Sequence, residues 1–231
     1  MGIGGGYART VLEGNAGKDG KSDTGHAVAY FSAHGDHAFL DASANYAYND
    51  VETEYNTLGY TGDYAAHTVG LYLGGGYVIT IAERVLLVPE ASILNTLYTR
   101  DAYTESSDLY PDLMWDSYDQ WSHLGSIGAT LSMLSKVSFT DAELAVQPEL
   151  RAHLLHEFNN EFDDETYMMT GGEYTIGASL KPREENLIKV GAGVRLSKWS
   201  SDTTEFGLDF DGTFGDDYNA YIVSGKIMHR F

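Results

Sequence analysis

Apolar and polar positions alternate with period two along most of the chain, in runs separated by Gly, Asn, Asp and Ser clusters. The alternation is clearest over 204–214. Phe206, Leu208, Phe210 and Phe214 fall on one face there, and Glu205, Asp209, Asp211 and Thr213 on the other. In 187–197, Ile188, Val190, Ala192, Val194 and Leu196 oppose Lys189, Gly191, Gly193, Arg195 and Ser197. Successive strand side chains point to opposite sides of a sheet, so each run reads as a strand with one greasy and one polar face. The pattern predicts ten strands, at 2–12, 25–33, 38–49, 67–79, 85–98, 120–134, 143–158, 187–197, 204–214 and 220–231. Several have the roughly nine to eleven residues that a tilted strand needs to cross a bilayer.

The connections alternate in length. Those at 34–37, 80–84, 135–142 and 198–203 are short, and those at 13–24, 50–66, 99–119 and 159–186 are long. Short periplasmic turns and long outer loops are the habit of outer-membrane barrels. The last outer connection, 215–219, is short. Acids crowd the long ones: Asp101, Glu105, Asp108, Asp112, Asp116 and Asp119 in one, and Glu161, Asp163, Asp164, Glu165, Glu173, Glu184 and Glu185 in another. Solvation accounts for such loops, and none has the acid and glycine spacing of a Ca²⁺ loop. Tyr7, Tyr46, Tyr48, Tyr77, Tyr98, Tyr221, Trp121 and Trp199 fall near strand ends, where interfacial belts of amphipathic rings are expected.

Composition narrows the reading. A formal charge of −20 argues against nucleic acid as a partner. The chain has no cysteine, which rules out a disulfide framework and thiolate metal sites. No apolar run is long enough for a membrane helix, so a membrane location requires strands closed into a barrel. Met1 leads straight into Gly2-Ile3-Gly4-Gly5-Gly6-Tyr7 without the charged and apolar segments of an export signal, which is therefore expected upstream.

A series of motifs resembles the autotransporter β-domain. Ala29-Tyr30-Phe31, a turn and Phe39-Leu40-Asp41 are similar to an early hairpin of that family. Val88-Pro89-Glu90-Ala91 with Leu97-Tyr98-Thr99-Arg100 resembles its first proline-bearing strand, and 147–158, beginning Gln147-Pro148-Glu149-Leu150-Arg151, its second. Gly191-Ala192-Gly193, 207–214 and Gly215-Asp216-Asp217-Tyr218 look like its final strands. The resemblance implies an all-β, antiparallel, up-and-down transmembrane β-barrel in the bacterial outer membrane. It also implies a translocator role in type V secretion, exporting or anchoring an N-terminal passenger polypeptide. Expected partners are outer-membrane lipids, the barrel-insertion machinery and that passenger. The family has twelve strands and a helix in its pore; this chain, taken as one domain over 1–231, starts where the third strand would fall. The segment 173–182, after Thr170-Gly171-Gly172, reads as a hairpin extension and not as a spanning strand.

The polar faces are expected to line the lumen, with Glu149, Arg151, His153 and Glu157 on the seventh strand. Lys189 and Arg195 follow on the eighth, Glu205, Asp209 and Asp211 on the ninth, and Lys226 and Arg230 on the tenth. Across the last three strands this predicts a basic, acidic, basic ladder that fixes register. The last strand alternates Tyr221, Val223, Gly225, Ile227, His229 and Phe231 against Ser224, Lys226, Met228 and Arg230. In the family a terminal aromatic of this kind is the insertion signal, here Tyr221, Val223, Ile227 and Phe231. His229 stands where the family usually has an apolar residue.

No catalytic, cofactor or metal site is predicted. His153 and His156 should face opposite ways, His34, Asp36 and His37 share a solvated turn, and His156-Glu157 lacks the second histidine of a zinc-protease signature. Asp63 and His67 are the only prompt for a rim protease. The alternative to the translocator is a stand-alone barrel acting as a narrow channel or as an adhesin through its acidic loops.

Overall fold

The structure is a computed structural model and describes residues 1–13, 17–139, 142–159, 165–170, 175–178, 184–198 and 201–229. Sixteen strands form one antiparallel sheet. Ten are long: β1 (Gly2–Glu13), β2 (Lys18–His34), β3 (Ala38–Tyr55), β4 (Tyr60–Tyr77), β6 (Val85–Arg100), β9 (Tyr118–Met133), β11 (Ala142–Glu157), β14 (Asn186–Lys198), β15 (Ser201–Phe214) and β16 (Asn219–His229). Six short ones lie in the connections: β5 (Ile79–Ala82), β7 (Tyr103–Ser107), β8 (Leu113–Trp115), β10 (Ser135–Phe139), β12 (Glu165–Met169) and β13 (Thr175–Ala178).

The ten long strands pair in chain order, each with the next, and the sheet curls as an open half-barrel. Among the described residues β1 pairs only with β2, and β16 only with β15, so both edges are open.

Side-chain exposure follows the period-two pattern. On β15, Phe206, Leu208 and Phe210 are exposed, while Glu205, Asp209 and Asp211 are half-buried on the other face. Register carries this division across the sheet: Leu208 opposes Val194 and Gly225, and Phe210 opposes Ala192 and Val223. Among the described residues only Tyr60, Ala66 and Tyr118 are buried hydrophobics, whereas Leu208 is 56% and Ile227 is 73% exposed. A soluble sandwich would cover such faces with a second layer. Here the apolar face is the convex outer wall and the charged face is the concave inner one.

The tyrosine belt is on that outer wall for Tyr7, Tyr46, Tyr48, Tyr77, Tyr221 and Trp121, all exposed. Tyr98 departs from the expectation. Its even position on β6 puts it on the inner face with Glu90 and Arg100; beyond the membrane on β7, burial pushes Tyr103, beside the Arg100 guanidinium, well above the usual phenol range. Trp199 lies outside the described residues.

All four long connections contain more strand than their composition predicts. β2 starts at Lys18, and β3 and β4 run on to meet at Tyr55 and Tyr60, so the expected loop at 50–66 is reduced to Asn56–Gly59. Gly59 has a φ of +66°, and its N–H donates to the Tyr55 carbonyl at 2.7 Å, a conformation that favours glycine. The connections 101–117 and 158–185 contribute β7, β8, β12 and β13, which pair in the order β4-β7-β8-β12-β13 and raise the wall beyond the membrane. Among the described residues β13 pairs only with β12; 171–174 and 179–183, which complete the expected hairpin extension, lie outside them.

The outer wall yields a direct test. Leu208→Arg should cost about 2–4 kcal/mol of folding free energy in lipid vesicles. Ser224→Arg, on the inner face beside Asp209, should be close to neutral. Equal effects in equilibrium urea unfolding would mean that hydrocarbon does not cover the Leu208 face.

Candidate functional site: the inner wall

The inner wall is organised around β11, which lies between β9 and β14. Arg151 does not pair with a charge on either neighbouring strand. It crosses β14 and reaches β15, with Nη1 at 2.6 Å from Asp209 Oδ1 and Nη2 at 3.3 Å from Asp211 Oδ1. The residues it crosses are Gly191 and Gly193. A methyl group at Gly193 would stand 3.1 Å from Arg151 Nη1 and overlap the Asp209 carboxylate; one at Gly191 would stand 3.1 Å from Arg151 Nε and overlap Asp211. The glycines form a saddle for the guanidinium.

The opposite side of β11 repeats the device. His153 passes over Gly128 of β9 and places Nε2 2.9 Å from Glu90 Oε1 on β6, an oxygen that also accepts from Thr130 Oγ1 at 2.7 Å. A side chain at Gly128 would overlap the His153 ring. Glu149, buried on the same strand, accepts from Arg195 Nη2 and from Arg151 Nη1, each at 3.4 Å, and Arg195 Nη1 lies 3.6 Å from Glu205. Glu157 ends the β9–β11 ladder, accepting from Ser122 Oγ at 2.5 Å and from the His123 N–H at 2.6 Å.

The expected basic, acidic, basic ladder is therefore rearranged. Its central cation is Arg151, two strands from the acids it meets. Lys189 comes only within 4.0 Å of Asp211, and Lys226, on the inner face of β16, forms no ion pair with a described residue. Arg230 and Phe231 lie outside the described residues. Tyr221, Val223 and Ile227 are exposed on the outer face of β16. His153 and His156 face opposite ways, inner and outer. Asp63 and His67 both occupy outer positions on β4, and His67 Nδ1 is 2.7 Å from the Tyr46 hydroxyl.

Nearer the outer mouth, Arg100 is 4% exposed. Its guanidinium lies 5.0 Å from the Tyr103 ring centre and 5.7–5.9 Å from those of Tyr64, Tyr118 and Trp115. It also meets Glu165 of β12 at 3.1 Å and donates to the Asp116 carbonyl at 2.9 Å. This cation ties three of the loop-borne elements to the wall. No sequence pattern assigns Arg100 a partner, because its aromatic neighbours come from four separate segments.

An open antiparallel wall with an apolar outside and a charged, uncovered inside defines a transmembrane β-barrel of the outer-membrane type. The family model described as autotransporter beta-domain matches residues 1–211, and the chain belongs to that family. Solved structures agree in fold. The translocator domain of the autotransporter NalP from Neisseria meningitidis superposes with a TM-score of 0.71 at 17% identity, covering 99% of this chain and 74% of that one. The β-domain of the Bordetella autotransporter BrkA gives 0.63 at 15%, over 97% and 88% of the two chains. The transport unit of AIDA-I from Escherichia coli gives 0.51 at 10%, over 99% and 88%. No curated protein matches the sequence. The chain is an outer-membrane translocator barrel, and the general role of its family is passenger export.

A double-mutant cycle tests the saddle. Arg151→Met and Asp209→Asn should couple by about 0.5–3 kcal/mol in unfolding experiments. Gly193→Val should remove that coupling without touching either charge. Strict additivity of the two substitutions would show that the ion pair contributes nothing.

Proposed function

We propose that the paired charges of the inner wall act as a register lock and as a self-neutralised lining past which the passenger moves, with no catalytic step in this domain. The observation that carries this reading is the Arg151–Asp209–Asp211 bridge. Its charges are paired with one another along the wall, which weakens the hold this part of the lining would have on an unfolded chain. Lining residues in this role are Glu149, Arg151, His153, Lys189, Arg195, Asp209 and Asp211, with Lys226 on the last strand and, from the alternation of the sequence alone, Arg230. A one-residue slip would turn these groups into lipid, at about 2–4 kcal/mol for each Lys or Arg near the midplane.

The open edges of β1 and β16 require partners in the bilayer, because unpaired main-chain groups cannot be solvated there. We assign barrel completion to these edges, through further strands of the same protein as in the twelve-stranded family. The outer face of β16, with Tyr221, Val223 and Ile227, is the surface proposed for the barrel-insertion machinery, together with the terminal Phe231 that follows it in sequence.

The absence of cysteine makes the lumen assignment testable in the full-length protein. A passenger carrying a stalling disulfide loop and a nearby cysteine should cross-link to Ser126→Cys on the inner wall and not to Ile127→Cys on the outer one. Cross-linking at Ile127→Cys alone would place the path elsewhere. For insertion, Phe231→Ser should lower the heat-modifiable fraction of the barrel in outer membranes; an unchanged fraction and assembly rate would remove Phe231 from the signal.

A further inference from the structure

A patch of the inner wall is apolar where the charged lining ends. Alternation breaks at Leu154-Leu155 on β11 and at Leu187-Ile188 on β14, so both faces are apolar there. Leu154 opposes Ile188, and these two are exposed on the outer wall; Leu155 opposes Leu187, and these two face the lumen. Leu124 of β9, opposite Glu157, stands on the same inner face. The three leucines, all half-buried, line a cavity of about 640 Å³ just inside the outer mouth. That volume falls in the span of roughly 300–1,000 Å³ typical of ligand pockets.

The rim of this cavity is acidic. Glu157, Glu184 and Asp217 line it together with a single cation, Lys189. Two of the acids are tied down. Glu157 is fixed by Ser122 Oγ and the His123 N–H, and Glu184 accepts the Asp217 N–H. The second contact joins the start of β14 to the 215–218 turn, which the Gly215 N–H closes on the Tyr218 carbonyl at 2.7 Å. Tyr218 forms the side wall and is 48% exposed. Lys189 lies at the lower end, where its Nζ is 4.0 Å from Asp211 Oδ2.

We propose that this pocket takes a bulky apolar side chain of the passenger that is flanked in its own sequence by a lysine or arginine. The inner face meets no hydrocarbon, so leucine surface left in water there favours any apolar group that covers it, whereas lipid already covers Leu154 and Ile188. The rim selects the flanking charge: three carboxylates against one ammonium repel an acidic neighbour and attract a basic one. Further down the wall the Arg151 bridge is paired within the lining, so selective holding of a chain falls to the leucine pocket. The inference rests on the lumen as the passenger's path and adds to it a resting point for apolar segments with basic neighbours.

The test uses the full-length protein halted by a passenger disulfide loop. Thr213→Cys, beside the pocket but neither a leucine nor an acid of it, is the reporter, and Ser224→Cys, lower on the inner wall, is the reference. A passenger cysteine beside a leucine–lysine pair, moved stepwise through the lumen, should cross-link to Thr213→Cys about fivefold faster than one beside serine–lysine, as partial burial of one leucine implies. It should react about twofold faster than one beside leucine–glutamate, the scale of an exposed ion pair. Leu155→Ser/Leu187→Ser should abolish the first preference and Glu184→Gln/Asp217→Asn the second. Cross-linking to Ser224→Cys should stay the same in both, with heat-modifiable migration confirming that each variant is folded. Equal rates at Thr213→Cys for the three passengers, with Ser224→Cys still reacting, overturn the pocket and leave the path standing; so does a leucine preference that survives the serine substitutions. Cross-linking at neither inner cysteine overturns the path and the pocket with it.

Discussion

A strand in hydrocarbon has no solvent for its main chain, and this governs the molecule more than any side-chain contact. Each N–H and C=O must find a neighbouring strand. Pairing then fixes register, and register decides which half of the side chains meets lipid. From β2 to β15 the ten-strand wall meets this demand on both sides, with each strand beside its sequence neighbours. Among the described residues the outer edges of β1 and β16 have no such partner. Alternation in the sequence follows from the same constraint. Phe206, Leu208 and Phe210 face out because Glu205, Asp209 and Asp211 must not.

A wall one layer thick cannot draw cohesion from a packed core, and almost none exists here. Cross-strand polar contacts substitute for it, and β11 distributes them to both sides. An ion pair between adjacent strands fastens one seam. Arg151 bonded to β15 over Gly191 and Gly193 spans two seams at once, and His153 bonded to β6 over Gly128 does the same in the other direction. Five consecutive wall strands, β6 to β15, are thereby linked through the side chains of one of them. Any side chain beyond hydrogen at the three glycines would break a link without altering a charge. Backbone pairing alone would tolerate alanine at each of these positions.

The ten spanning strands were legible because lipid imposes a strict contrast between faces, as in 204–214. The strand extensions were not, because the contrast disappears above the membrane. Asp50, Glu52 and Glu54 alternate with Val51 and Thr53 on β3, but with acids outward and water on both sides they read as a solvated loop. β7, β8 and β12 are too short to show a period at all. On the inner wall, the sequence identified which residues face inward but not which ones meet. Alternation assigns pairing to strands carrying charge, whereas Arg151 and His153 are paired across strands carrying none at the crossing point. The signal was present in Gly191-Ala192-Gly193 and Gly128, but a glycine marks a path only once its neighbour's register is known. Tyr98 was misplaced for a related reason, since a strand-end tyrosine can serve the belt or the lumen and only its parity with Glu90 and Arg100 distinguishes them.

The likeness in fold to solved barrels at 10–17% identity follows from how little each face specifies. Lipid asks an outward position only to be apolar, so leucine, valine, alanine and phenylalanine are close to equivalent there. Water in the lumen asks an inward position only to be polar, and a pattern can persist while residues change. The saddles are different, because each requires a small residue on one strand and complementary charges on the strands flanking it. Gly125 is different in the same way: the Phe158 ring takes the space its missing side chain leaves. What is particular to this barrel therefore lies where a side chain is missing and a neighbour uses the space, and the repeating alternation around those points supplies the membrane-spanning wall.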